Sequence, residues 1–209
     1  MCKDKFTIAD LEKFGSVGKQ TIIHLKLLTY ETYEDFISLV YEALNFIAEK
    51  IEESRQYFYD IAEDQITIDI IHMLICLGFD AEHDTAVGGH CDILIKGKSL
   101  YRHLWIGEAK IHKSYDWLWD GFLQLDKRYS VGRDNSCHGG MIIYSKNVRT
   151  DLVMNNWQEY MELQEGYVFE FCKCNTVFNA FNSSHVHHRS GQEFKVKHVP
   201  ISIHFQPVK

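Results

Sequence analysis

The 209-residue chain carries 22 Lys+Arg against 29 Asp+Glu, a formal net charge of −7, with 45% hydrophobic, 24% charged and 13% aromatic residues. That balance supplies enough apolar side chains for a sizeable core and excludes a disordered chain. No apolar run approaches the ~18 residues that span a bilayer, residues 1–5 lack the apolar stretch of a secretion signal, and six scattered cysteines read as a reduced, cytoplasmic setting.

Charge is unevenly spread. Residues 1–100 hold 9 basic and 18 acidic side chains, whereas residues 101–209 hold 13 and 11. A bound polyanion is therefore expected on the second half, with the acidic first half facing a partner or water.

In chain order, residues 1–30 are the least patterned. Residues 8–14 suit a turn or two of helix ended near Gly15, and the apolar residues 22–28 fit strand or helix. Over residues 32–55, Tyr33, Phe36, Ile37, Val40, Leu44, Ile47 and Ile51 recur at helical spacing, which predicts an amphipathic helix. A second helix is predicted over residues 59–77, stopped by Gly78. Glu63 falls on its apolar stripe with Ile66, Ile70, Leu74 and Leu77. A carboxylate there is paired or metal-bound, or it lies in the first turn, where acids suit the helix dipole.

Residues 79–87 read as a short strand leading to a Gly88-Gly89 turn. Residues 91–95 form an apolar strand, and residues 100–111 its hairpin neighbour. Ser114 caps a helix over residues 115–129, with Leu118, Phe122, Leu125 and Tyr129 as core stripe and Trp117, Gln124 and Arg128 on another face near Gly121. A strand over 139–144, a helix over 151–163 packing through Leu152, Trp157, Tyr160 and Met161, and a strand over 167–172 follow. Residues 179–191 read as a polar, histidine-rich loop. Phe194 and Val196, then Ile201, Ile203 and Phe205, alternate in two phases around Pro200, which suggests a last strand with a bulge or an edge position near the proline. The order predicts an α/β fold with a mixed central β-sheet flanked by helices. One domain is expected over 1–209, comprising an N-terminal helical extension (1–56), a catalytic core (57–147) and a C-terminal helix with strands (148–209).

The chemistry concentrates on the hairpin. Side chains alternate along a strand, so Glu108 and Lys110 share a face, and Asp92 on the neighbouring strand can meet them. Two carboxylates beside an amine are what metal-assisted cleavage of a phosphodiester needs. Magnesium takes oxygen ligands and keeps several waters. Asp92, Glu108 and the backbone carbonyl of Ala109 would hold it, with Mn2+ as a possible substitute. Lys110 would orient water or stabilise developing negative charge, and Glu63 would complete or orient the metal shell. The alternative is a solvated strand face with Asp92 closing a turn.

Asp92 before Ile93-Leu94-Ile95, followed by Glu108-Ala109-Lys110 at the end of an apolar strand, resembles the PD-(D/E)XK nuclease superfamily, whose fold is restriction-endonuclease-like. A preceding helix with a Glu, the Gly-Gly turn and a following helix with a Gln match its layout over residues 59–144. The resemblance implies metal ligation by Asp92 and Glu108, catalysis by Lys110, a first-helix acid in Glu63 and an auxiliary role for Gln124. Two departures stand out. Cys91 occupies the position of the proline, and Gln124 and Tyr129 are one residue further apart than in the Gln-x-x-x-Tyr motif of some members.

The expected function is a metal-dependent endonuclease cutting DNA, in defence against foreign DNA or in a mobile element. The alternatives are an RNA-cleaving enzyme with the same site and a non-catalytic nucleic-acid-binding or assembly subunit. No recognition module accompanies the site and the chain is acidic, so self-association or a partner subunit is expected. Lys113, Trp117, Arg128, Lys195 and Lys197 are candidate nucleic-acid contacts. Trp117, at helical spacing beside Leu118, is more often a core residue, and Lys195 and Lys197 fit a charged outer face as well. His185, His187 and His188 are candidate zinc ligands, or a solvated or phosphate-facing loop.

Overall fold

Helix α1 (Ile8–Phe14) opens with a capping box in which the Thr7 side chain accepts from the Asp10 N–H and Asp10 from Thr7, and it closes on Gly15 at φ 58°. Residues whose sequence fitted strand or helix form α2 (Lys19–Thr29). Helix α3 (Tyr33–Glu53) matches the expected amphipathic span and carries a second capping box, Thr32 with Asp35. A 3₁₀ turn (Arg55–Tyr57) precedes α4 (Glu63–Cys76). This helix starts four residues later than the apolar pattern suggested, so Glu63 stands in its first turn. The computed structural model describes residues 7–15, 17–86, 90–98, 102–130, 132–174 and 178–207. The Gly88-Gly89 turn lies outside the described residues.

The strands are β1 (Asp80–Glu82), β2 (Thr85–Ala86), β3 (His90–Cys91), β4 (Ile93–Lys96), β5 (Leu104–Ile111), β6 (His138–Ser145), β7 (Glu170–Lys173), β8 (Phe181–Val186) and β9 (Glu193–Ser202). Helix α5 (Tyr115–Gln124) runs into a π-helical turn (Leu125–Tyr129), and α6 (Thr150–Glu162) links β6 to β7. Seven strands form one mixed sheet in the order β1-β4-β5-β6-β9-β8-β7, while β2 pairs only with β3. The centre, β5-β6-β9, is parallel, and the outer pairs are antiparallel. No helix among the described residues is long and apolar enough to cross a membrane.

Each face of the sheet buries its own core. Trp105, Ala109, Ile142, Tyr144, Val199 and Ile201 pack on α3 and α4. Ile106, Met141, Ile143, Phe194 and Val196 pack on Leu118, Phe122, Trp157 and Met161 of α5 and α6. Leu152, expected in that core, is 47% exposed, because α6 turns Val153, Met154, Trp157 and Met161 inward. Phe194, Val196 and Ile201 belong to one continuous strand, β9, covered on both faces, and Ile203 and Phe205 follow its end. Pro200 pairs with Ile143 of β6, whereas β8 reaches only as far as His198, so the proline has an edge-like position.

Gly140 shows how tightly the centre is packed. A Cβ there would lie 2.4 Å from Cζ2 of Trp105, which is fully buried. Gly140→Ala is expected to destabilise the fold by about 1–3 kcal/mol, read as a lower urea midpoint at unchanged slope.

Candidate active site

Asp92 does not sit within a strand. It occupies the break between β3 and β4, which leaves its side chain free of the pleat. Across the β4–β5 pair, where Ile93 faces Gly107, its Oδ2 accepts the backbone N–H of Ala109 at 2.8 Å. Glu63 closes the same site from the other side. Its Oε2 accepts the N–H of Ile111 at 2.5 Å, clamping the first turn of α4 onto the end of β5.

Lys110 stands between these acids. Its Nζ lies 2.5 Å from Glu108 Oε1, 3.6 Å from Asp92 Oδ2 and 3.8 Å from Glu63 Oε1. The absence of a side chain at Gly121 of α5 makes room for it, since a Cβ there would sit 3.1 Å from Lys110 Cγ. The Trp117 ring lies 5.6 Å from the same ammonium. Burial grades inward: the Asp92 and Glu63 side chains are 28% and 21% exposed, while Lys110 is buried and Glu108 is at 0%.

The electrostatics follow from that depth. Burial first, and the neighbouring Asp92 second, push the Glu108 carboxyl up to about 8 against the pull of Lys110. Burial also raises Glu63, opposed by the Ile111 N–H and Lys110. Burial alone would lower Lys110, but Glu108, Asp92 and Glu63 outweigh it, so the amine stays protonated. Three carboxyls thus face one amine, and Glu108 Oε2 has no hydrogen-bond partner despite complete burial. That is an incompletely satisfied oxygen-rich donor set of the chemistry a hard divalent cation takes, although its three carboxyls do not bring three ligand atoms within 4.8 Å of one another.

The structure brings Asp92, Glu108, Lys110 and Glu63 together. Ala109 enters through its N–H, which holds Asp92. Gln124 lies in the last turn of α5, on the side that carries Trp117 and Gly121. The π-helical turn absorbs one residue, so Gln124 and Tyr129, five apart, lie one turn apart in the backbone. Exposed Lys113 places its Nζ 4.8 Å from the Trp117 ring and pulls on Glu63. Arg128 is exposed on the π turn itself. Lys195 and Lys197 line the α3 side of the sheet, opposite the Glu108–Lys110 side.

The histidine-rich segment is not a solvated loop. It contains β8, and His185 and His187 are buried around Asp126, which is at 0% exposure. Asp126 Oδ1 lies 3.0 Å from His185 Nε2, its Oδ2 accepts from the Tyr167 hydroxyl at 2.8 Å, and His188 Nδ1 is 3.6 Å away. Among the described residues, Asp126, His187 and His188 alone bring three potential metal-ligating atoms within 4.8 Å of one another. His187 is already committed, however. Its Nδ1 accepts the Ser190 N–H at 3.2 Å, which leaves Nε2 as the donor toward Ser130 Oγ, at 2.7 Å. The group is a hydrogen-bonded clamp between the π turn and the β8–β9 connection. Sequence periodicity missed it because its inward side chains are polar.

The fold and site define an α/β protein whose mixed seven-stranded sheet carries a buried acid–lysine cluster. No known family model matches the chain, and no curated protein or solved structure matches it.

Proposed function

We propose that the chain is a divalent-metal-dependent endonuclease of the PD-(D/E)XK kind, hydrolysing DNA phosphodiester bonds. The observation that carries this reading is Lys110 Nζ held within 3.8 Å of Glu108, Asp92 and Glu63 at the junction of β4, β5 and α4. Asp92 and Glu108 are the residues to hold a magnesium or manganese ion, with the Ala109 carbonyl as third donor. Such an ion, when bound, polarises a phosphoryl oxygen and makes water more acidic. Glu63 fixes the strand end and restrains Lys110. Lys110 keeps its proton and presents positive charge to the oxygen that becomes more negative as the bond breaks. Lys113 and Trp117 at the mouth offer a phosphate contact and a stacking surface.

A net charge of −7 leaves little for autonomous DNA binding, so recognition comes from self-association or a partner subunit. Defence against foreign DNA or service to a mobile element is the role such a small nuclease fits by analogy. The test is magnesium-dependent cleavage of supercoiled plasmid and of single-stranded RNA by wild type and Asp92→Ala. Plasmid nicking or linearisation that disappears in Asp92→Ala is expected. Cleavage of RNA alone would reassign the substrate, and metal-dependent cleavage of neither would overturn the reading.

Glu108 gives a second check. Its carboxyl is protonated below about 8, and a cation binds only the carboxylate. Metal affinity should therefore rise with pH and level off above that value. Calorimetry in buffers of different protonation enthalpy should show proton release on Mn2+ binding at neutral pH, and no such release in Glu108→Gln.

A further inference from the structure

On the sheet face away from Glu108 and Lys110, a cleft of about 550 Å3 opens between the first half of α3 and strands β7, β8 and β9. Its inner wall holds Lys197, which is only 5% exposed. The Lys197 ammonium sits 4.4 Å from the centre of the Tyr41 ring. Among the described residues it has no carboxylate and no hydrogen-bond acceptor. Beside it, on β6, His138 is 7% exposed. His138 Nδ1 has no partner, and Nε2 only approaches Glu34, at 3.5 Å. Two buried polar groups thus line one cavity with their hydrogen-bonding capacity unspent. The Lys197 stem is buried while its ammonium opens on the cleft, where the ring face contributes only about 0.5–2 kcal/mol. The inner wall thus holds a cation that no protein acceptor occupies.

We infer that this cleft is a binding site for a phosphorylated small molecule, with the phosphate against Lys197. Ser184 and Asn182 on β8 line the same cleft and supply hydroxyl and amide donors, and Lys173 and Lys195, the latter 3.5 Å from Glu193, add cations at the rim. The lining also includes Glu34, Glu170 and Glu193, all exposed, and its basic side chains besides His138 are lysines. That favours the point-charge recognition typical of phosphate over the planar fork with which arginine grips a carboxylate. The volume falls within the range of small-ligand sites, ~300–1,000 Å3, and accommodates a ligand of mononucleotide size.

The test uses isothermal titration calorimetry in EDTA, which keeps divalent ions from the acid–lysine cluster, with adenosine 5′-monophosphate, ribose 5-phosphate, adenosine and citrate as probes. Saturable binding of at least one phosphate probe below about 1 mM is expected, with adenosine and citrate at least about tenfold weaker. Lys197→Met should weaken the phosphate probe by at least about tenfold, Lys195→Gln by less, and Asp92→Ala not at all. Because the Lys197 ammonium has no acceptor among the described residues, the ligand-free Lys197→Met variant should melt at or above the wild-type temperature. Four results would overturn the inference: no saturable phosphate binding, equal affinity in Lys197→Met, tighter binding of citrate, or a Lys197→Met variant that melts lower or fails to fold. Displacement of the probe by a single-stranded oligonucleotide, with affinity falling steeply with salt, would instead give the cleft to a nucleic-acid backbone.

Discussion

Lys110→Ala is expected to abolish measurable cleavage, lowering the rate by about 10²–10³ or more, while the protein stays folded. The amine is the one cation inside a cluster of three carboxyls, so its loss removes the charge that answers negative charge developing on the substrate. Glu108 already sits at about 8. Without Lys110 it takes up a proton more readily still, and that relieves the repulsion among the acids. The fold therefore survives a change that the chemistry does not. Glu108→Gln sharpens the contrast, because it mimics the protonated acid in shape. Its stability should match or exceed that of wild type, and its cleavage should be lost with its metal affinity. A purely structural cluster predicts the reverse, a large loss of stability in Lys110→Ala and no effect on any nuclease activity. Plasmid cleavage at the wild-type rate by Lys110→Ala, in the same preparation that melts normally, would remove the lysine from the mechanism.

The acid–lysine cluster was legible in the sequence because it depends on rules of period two and on one hairpin. Glu108 and Lys110 had to share a face of β5, and Asp92 had to lie across from them. The detail that escaped is local: Asp92 owes its reach to the break between β3 and β4, where no pleat constrains it. Glu63 was ambiguous between an apolar stripe and a first turn, and both descriptions apply. It opens α4, and its side chain still crosses to Ile111 and Lys110. Apolar periodicity placed the start of α4 too early because Tyr59 and Ile61 continue the stripe outside the helix. It failed altogether at β8, whose inward residues after Phe181 are Ser183 and His185. These are buried through hydrogen bonds, Ser183 Oγ to His198 Nε2 at 2.8 Å and His185 to Asp126, and no hydrophobicity pattern records such pairs. The π turn was invisible for a similar reason, since an extra residue in a helix leaves the composition unchanged. The Lys197 cleft was legible only as two charges on one strand face.

Asp126→Ala is expected to be among the most destabilising single substitutions in the chain, by about 3–5 kcal/mol. Its carboxylate is fully buried and holds the His185 ring and the Tyr167 hydroxyl, while its backbone carbonyl accepts from Ser130 Oγ at 2.7 Å. Truncation strands the buried His185 donor, worth about 1–3 kcal/mol when left unpaired, and frees the half-buried Tyr167 hydroxyl. It also releases the π turn from β8 and from Tyr167, in the segment before β7. The pH dependence identifies the charge as the cause. Burial pushes the Asp126 carboxyl up, but the hydrogen bonds from His185 and Tyr167 and the charge of the histidines outweigh it and hold it below the usual range. A depressed carboxyl contributes its full stability above the unfolded value of about 3.9 and loses it as pH falls through the folded value. His198 acts in a different window. Burial pulls it down to about 3, so the fold loses stability as pH falls from about 6.5 toward that value, where the unfolded chain takes up the proton first. Urea midpoints measured from pH 7 to pH 3 should therefore show wild type and Asp126→Ala declining in parallel below about 6.5. The gap between them should stay constant until about pH 4 and then narrow. A gap that is already small at pH 7 would mean that His185 and Tyr167 find other acceptors, and that the clamp is not what fixes the π turn behind the acid–lysine cluster.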